Sequence, residues 1–318
     1  MLILFAFCIL FSSCTQMVSA PQTEYVVGTV CTLNFFDDGT ESLYEECFLE
    51  LRGIDDKFSV NKEYSEISLV NKNAGLKKVS VSREVFEVLE LSKMIAEKTD
   101  MAFNPVLGSL IKLWAIGTER QRVPEIEEIE SARQHCNPDS LVLQNDDGIF
   151  YAELTDSKTQ IDLGAIVKGY AADRIVKILE KRNVKKAVID LGGNIYVFGQ
   201  KDRQNNKWKV GIKNPLNQDS EPVKIVSLDY GSVVTSGNYE RFFVENGIRY
   251  HHIIDGKTGS PAESNLASVS VIYKESVFCD ALATAFFVAG VDADFERKLG
   301  LQDVQLVFVK KDGSVVER

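Results

Sequence analysis

Two of the three histidines in this 318-residue chain, His251 and His252, are neighbours, and they open the segment His251-His252-Ile253-Ile254-Asp255-Gly256-Lys257-Thr258-Gly259. One helical stretch later come Asp280 and Thr284. An imidazole can take a proton from a hydroxyl near neutral pH. A carboxylate and a hydroxyl spaced i and i+4 share one helix face and are hard oxygen donors, the kind Mg²⁺ accepts when substrate and water complete its shell. Together they are equipment for metal-assisted phosphoryl chemistry. A plainer reading of the pair is that Asp280 caps its helix and Thr284 bonds back to the backbone of its own turn.

A second constellation precedes it, Asp162-Leu163-Gly164-Ala165-Ile166-Val167-Lys168-Gly169-Tyr170. Either the two glycines merely shape a helix entry and Lys168 is a solvated charge, or the loop backbone meets a phosphate or metal, with Asp162 on a ligand group and Lys168 neutralising phosphate charge. Adjacent residues of a strand point to opposite faces, so one of His251 and His252 is expected at the site. Gly256 and Gly259-Ser260-Pro261 make a tight turn after them, and Ser236-Gly237-Asn238-Tyr239 reads as a second glycine-containing loop. His135 lies in an acidic section and reads as a surface residue.

These residues need elements to hold them. Tyr25 to Phe35 alternates apolar and polar residues and reads as one strand, turned by Asp37-Asp38-Gly39. Ser82 is a favoured N-cap before Val85, Val88, Leu89, Met94 and Ile95, an amphipathic pattern ending near Lys98. The polar stretch from Gly117 to Glu130 reads as an exposed helix or loop. Val167, Tyr170, Ala171, Ile175, Ile178 and Leu179 recur at helical spacing, Ala187-Val188-Ile189 is a short strand ending at Gly192-Gly193, and Val277 to Val288 is helical.

The ends and the composition set the class. Met1 to Phe11 is apolar, the length of a signal-peptide core and far short of the ~20 residues of a membrane span. Ser12-Ser13-Cys14 then has the look of a lipoprotein processing site, with residues 1–13 as signal peptide and 14–23 as lipidated N-terminus and tether. The competing reading is a buried first strand with an incidental cysteine, and no Lys or Arg precedes the apolar run. The remaining 24–318 can bury one large core or two packed lobes. A net charge of −10 argues against general nucleic-acid binding. Of the other cysteines, Cys31 and Cys47 could bridge neighbouring strands, but buried free thiols suit Cys31, Cys47, Cys136 and Cys279 better.

Taken in order, Gly28-Thr29, Ser65-Glu66-Ile67, Ala102-Phe103-Asn104-Pro105-Val106-Leu107-Gly108 with Leu113-Trp114, the Asp162–Ala171 segment and Leu191-Gly192-Gly193-Asn194 form the first half of a pattern. Thr235-Ser236-Gly237-Asn238-Tyr239, His252-Ile253-Ile254-Asp255 with Thr258-Gly259-Ser260-Pro261, and Asp280-Ala281-Leu282-Ala283-Thr284-Ala285 complete it. This ordered set resembles the FAD:protein FMN transferase family, the ApbE-type flavin transferases. The resemblance implies an α+β, mixed α/β fold with FAD bound in a cleft between two packed lobes, and Mg²⁺-dependent transfer of FMN from FAD to a Thr or Ser hydroxyl of another protein, releasing AMP. By position it implies metal ligation by the Ala165 carbonyl and the Asp280 and Thr284 side chains. FAD contacts map to Val27, Phe58, Ala102, Phe103, Asn104, Asp162, Lys168 and Ile254, and the base to His252. Asn104 stands where many members have Asp, and Val27 where some have Met. The partners implied are acceptor subunits of membrane electron-transport complexes, redox-driven ion pumps, reached by a bacterial lipoprotein anchored through Cys14 on the periplasmic side. The alternatives are a Mg²⁺-dependent FAD pyrophosphatase, in which water replaces the protein hydroxyl, and a flavin-binding lipoprotein without turnover.

Overall fold

The computed structural model describes residues 20–201, 204 and 206–318. The stretch read as a signal peptide, and Cys14, lie outside the described residues. In chain order come β1 (Gln22–Val26), β2 (Thr29–Asn34), α1 (Glu41–Phe58), α2 (Glu66–Lys72), β3 (Val79–Val81), α3 (Arg83–Lys98), α4 (Gly108–Trp114) and α5 (Ile126–Arg133). They are followed by β4 (Leu141–Asp146), β5 (Ile149–Leu154), α6 (Val167–Lys181), β6 (Lys186–Leu191), β7 (Asn194–Gly199), β8 (Trp208–Ile212), β9 (Lys224–Leu228) and β10 (Gly231–Gly237). The last third holds β11 (Phe242–Glu245), β12 (Ile248–His251), β13 (Ile254–Asp255), β14 (Ser260–Pro261), β15 (Leu266–Tyr273), α7 (Ser276–Ala289), α8 (Phe295–Lys298), β16 (Gln305–Lys310) and β17 (Val315–Glu317).

The framework is an eight-stranded sheet in the order β1-β2-β6-β7-β10-β15-β16-β17. Every pairing in it is antiparallel. Because side chains alternate along a strand, β10 sends Val234 into the main core on the helix side and Val233 into a second cluster with Trp208, Ile212, Val226 and Leu228 of the β8–β9 ribbon. Helices α6 and α7 pack together on the first of these faces. A three-stranded sheet, β3-β5-β4, carries α2 and α3 beside them. The result is the mixed α/β architecture expected.

Helix α7 shows why this face organises the molecule. From Ser276 to Phe287 every residue is buried except Phe278 and Thr284, which are half-buried. A helix apolar nearly all round belongs inside a protein, and α7 is covered by the sheet and by α6. Its first N–H groups, Ser276 and Val277, are capped not by a local residue but by the Asp173 carboxylate of α6, at 2.8 and 2.9 Å. Gly169 permits this closeness, since a Cβ there would overlap the Ser276 carbonyl.

Several local expectations hold. Ser82 accepts the Val85 N–H at 3.3 Å and opens α3, and the acidic stretch forms the exposed α5, with a capping box between Glu125 and Glu128. All four described cysteines are buried free thiols. Three readings are corrected. Tyr25 to Phe35 is not one strand but the β1–β2 hairpin, because Val27 and Gly28 both take positive φ, 53° and 69°, the left-handed pair that a two-residue turn needs. Strand β1 also starts at Gln22, inside the stretch expected as a tether. His135 is not a free surface residue: it is half-buried, with Nδ1 2.6 Å from Asp156 Oδ2.

Candidate active site

The site forms where the loop entering α6 meets the second turn of α7. Asp280 is 3% exposed, so its charge is tolerable only if paired. One carboxylate oxygen accepts the backbone N–H of Gly169 at 3.0 Å and the other faces Lys168 Nζ at 3.3 Å. Asp280 therefore does not cap α7; it ties two helices together. Gly169 gives its N–H to Asp280 rather than to the carbonyl four residues earlier, that of Ala165, and no backbone N–H of the described residues takes that carbonyl. Upstream, the Asp162 carboxylate accepts the Gly164 N–H at 2.9 Å, and the Asp162 N–H donates to the Pro105 carbonyl at 2.9 Å.

Thr284 lies one turn beyond Asp280 on the same face. Its hydroxyl is 3.3 Å from the Ser236 hydroxyl of β10. Sequence reasoning missed Ser236, reading its segment as a loop, whereas Ser236 and Gly237 are the last residues of β10. The signal was present in Thr235-Ser236-Gly237, where alternation would have turned Ser236 to the same face as Val234.

The residues fit a hard divalent cation. One carboxylate, one hydroxyl and an unclaimed backbone carbonyl are oxygen donors of the right type. The spot already draws positive charge, since the Lys168 ammonium sits between the Gly164 carbonyl at 3.1 Å and Asp280. Among the described residues no three His, Cys, Asp or Glu side chains cluster as a metal group, so a cation here would complete its shell from ligand and solvent.

His252 lies within electrostatic reach of Lys168. Its N–H donates to the Arg241 carbonyl at 3.1 Å, and its Nδ1 lies 3.2 Å from the same oxygen. That contact assigns the proton to Nδ1 and leaves the Nε2 lone pair free. Burial pushes its pKa down to about 3, with the Arg241 charge adding and Lys168 contributing further, so the ring is neutral at physiological pH. His251 points elsewhere, as expected of a strand neighbour: Nε2 donates to the Ala262 carbonyl at 3.1 Å and the ring meets Phe287 edge-on.

The remaining expected contacts divide into two groups. Asn104 joins the two loops, packing near Gly256, but its amide is engaged internally, with Oδ1 accepting the Val106 N–H at 2.9 Å and Nδ2 donating to the Cys136 carbonyl at 2.8 Å. Ala102, Phe103 and Ile254 are buried close by, Ile254 in the cluster of Leu107, Leu110 and Trp114. Trp114 Nε1 holds the turn by donating to the Gly259 carbonyl at 2.8 Å. Val27 and Phe58 belong to the same hydrophobic core as Ala102 and Phe103, Val27 packing against it from the side. Val27 is in the β1–β2 turn, and Phe58 is 4% exposed, packed in the core against Tyr170.

Known proteins resemble this chain in sequence and fold. The family described as ApbE family matches residues 27–304. An FAD:protein FMN transferase of Treponema pallidum is 36% identical over 92% of this chain and 85% of its own length. One from Klebsiella pneumoniae is 34% identical over 87% and 84%. The crystal structure of the ApbE protein from Thermotoga maritima superposes with a TM-score of 0.82 at 30% identity, covering 93% of this chain and 96% of that one. The flavinyl transferase ApbE of Pseudomonas stutzeri gives 0.80 at 27% identity over 94% and 93%.

Proposed function

The chain belongs to the ApbE family and is a flavin transferase, and on that premise we propose that it moves FMN from FAD to a Thr or Ser hydroxyl of another protein in a Mg²⁺-dependent reaction. The observation that carries this reading is the Asp280 cradle, with its unclaimed Ala165 carbonyl and Thr284 hydroxyl, together with a neutral His252 that feels the charge of the same Lys168. In the reaction the acceptor oxygen bonds to the FMN phosphorus, the bridging P–O bond breaks, and AMP leaves with the bridging oxygen.

His252 Nε2 takes the proton of the acceptor hydroxyl, a contribution worth ~10²–10⁴-fold. The Arg241 carbonyl keeps the ring in that tautomer. Lys168 binds a phosphate oxygen, and Asp162 accepts from a group on the flavin nucleotide. Mg²⁺ held by Ala165, Asp280 and Thr284 would offset charge on the pyrophosphate, a Lewis-acid effect of several kcal/mol. The apolar Met1–Phe11 with Ser12-Ser13-Cys14 supports a lipoprotein on the periplasmic side of the cell membrane, where its acceptors would be subunits of redox-driven ion pumps. No helix among the described residues is long and apolar enough to cross a membrane.

The test incubates the chain lacking residues 1–20 with FAD and Mg²⁺, with and without acceptor protein, and follows AMP and acceptor mass together. An acceptor gaining the mass of an FMN phosphoester, dependent on Mg²⁺ and His252, supports the transferase. AMP and free FMN with an unlabelled acceptor would make the chain an FAD pyrophosphatase instead.

A further inference from the structure

Strand β10 and helix α7 run alongside each other, and two hydroxyl pairs tie them. Ser232 Oγ is 2.8 Å from Ser276 Oγ at the start of α7, and Ser236 Oγ is 3.3 Å from Thr284 Oγ1 further along both elements. Four residues of strand advance about 13 Å and eight of helix about 12 Å, so the two elements keep step from one pair to the next. The pairs differ in their surroundings. Ser232 and Ser276 are fully buried, and Ser232 also donates to the Ile195 carbonyl at 3.1 Å. Ser236 and Thr284 are half-buried, on the stretch of α7 that carries Asp280.

Thr284 uses its hydroxyl in an uncommon way for a helix residue. Such a group often gives its proton to the carbonyl four residues back, as Thr99 does to Ile95 at the end of α3, at 2.8 Å. Thr284 makes no such bond among the described residues, and Ser236 is the partner of its hydroxyl. A hydroxyl that ligates a cation offers a lone pair and must turn its proton elsewhere. Ser236 Oγ is the acceptor in place for that proton. At 3.3 Å the contact is longer than the ~2.8 Å of a strong hydroxyl pair, and a cation drawing charge from Thr284 Oγ1 makes its O–H a better donor. The backbone under Ser236 is firm. It pairs with Val269 of β15, and Gly237 beyond it is covered by the Tyr239 ring, which a Cβ there would overlap.

We propose that Ser236 is a positioning residue for the cation: it accepts the Thr284 proton and so aims the Thr284 lone pair at the metal. This rests on the cation site of the transferase reading and adds to it a residue that acts through Thr284. Groups that orient a metal ligand in this way are commonly worth ~10–100-fold in metal affinity.

The experiment titrates Mg²⁺ into the full chain by calorimetry and, in parallel, measures the Mg²⁺ concentration that gives half-maximal AMP release from FAD with acceptor protein present. Ser236→Ala is expected to weaken Mg²⁺ binding about tenfold, while Ser236→Thr, which keeps the hydroxyl, should bind as wild type. In a Thr284→Val background Ser236→Ala should change Mg²⁺ affinity no further, because such a cycle isolates what passes between two side chains. Ser232→Ala, which breaks the buried pair, should lower the urea midpoint and leave Mg²⁺ affinity alone. Unchanged Mg²⁺ affinity in Ser236→Ala overturns the proposal, and so does a matching loss in Ser232→Ala or an undiminished loss in the Thr284→Val background. Mg²⁺ binding that follows these expectations without AMP release from wild type would sink the transferase reading and leave the positioning role standing. No Mg²⁺ response of wild type in either measurement takes down both.

Discussion

The Asp280 side of the site and the His252 side are built by opposite means. Asp280 is locked into the core, bonded to a backbone N–H of a neighbouring helix, on a helix with hardly any exposed surface. His252 is half-buried at the foot of a hairpin and held by a single carbonyl oxygen. The first arrangement gives up flexibility and fixes the groups proposed to meet pyrophosphate and metal. The second leaves room for a partner whose shape the enzyme does not control. A catalyst that joins a small nucleotide to a protein needs both, one half preorganised and the other open.

If the contrast is right, damage to the rigid half should remove all chemistry. Asp280→Ala is expected to abolish AMP release with or without acceptor, a loss on the order of 10³-fold from several kcal/mol of lost charge stabilisation. It also leaves Lys168 without its partner, so calorimetry should show Mg²⁺ binding lost as well. AMP release near the wild-type rate would dissolve the distinction between the halves. His252→Ala should separate functions instead, keeping FAD affinity while transfer falls ~10²–10⁴-fold. A comparable loss of FAD binding would place His252 in the rigid half.

Gly169→Ala probes the helix contact directly. A methyl there meets the Ser276 carbonyl, and overpacking of this kind costs ~1–3 kcal/mol. Because Gly169 also bonds Asp280, the variant should weaken Mg²⁺ binding and lower the urea midpoint together, while Nδ1 of His252 keeps its partner. Asp173→Ala is milder. It leaves the first N–H groups of α7 uncapped at ~1–2 kcal/mol, visible in urea unfolding, with turnover per folded molecule retained.

How much of this was legible beforehand follows the same division. Helix α7 and the helix after Asp162 could be read from periodicity, and Asp280 with Thr284 from spacing, because the rigid half is made of regular elements. What could not be read is what crosses between elements: Asp173 capping a helix a hundred residues away, Gly169 surrendering its N–H, Ser236 meeting Thr284. Such bonds depend on which faces pack, and no local pattern encodes that. The β1–β2 turn was missed for a different reason. Val27 is β-branched and its positive φ is unusual, so alternation on both sides ran together into one apparent strand. On the open half, the side-by-side histidines could be assigned one site residue but not which partner fixed it.

The smallest expected effect is on pH dependence, and it separates the halves most cleanly. His252 is uncharged in the folded protein because burial, chiefly, holds its pKa near 3. The base form is thus present above about pH 3 and is lost only as pH falls through that value, whereas an ordinary histidine would lose it near pH 6.5. Between pH 8 and pH 5 the kcat/KM for FAD, which reports free-enzyme ionisations, should therefore show no acid limb belonging to His252. An acid limb near pH 6.5 that vanishes in His252→Gln would mean the ring is more open to water than its surroundings imply. The open half would then begin at His252 itself.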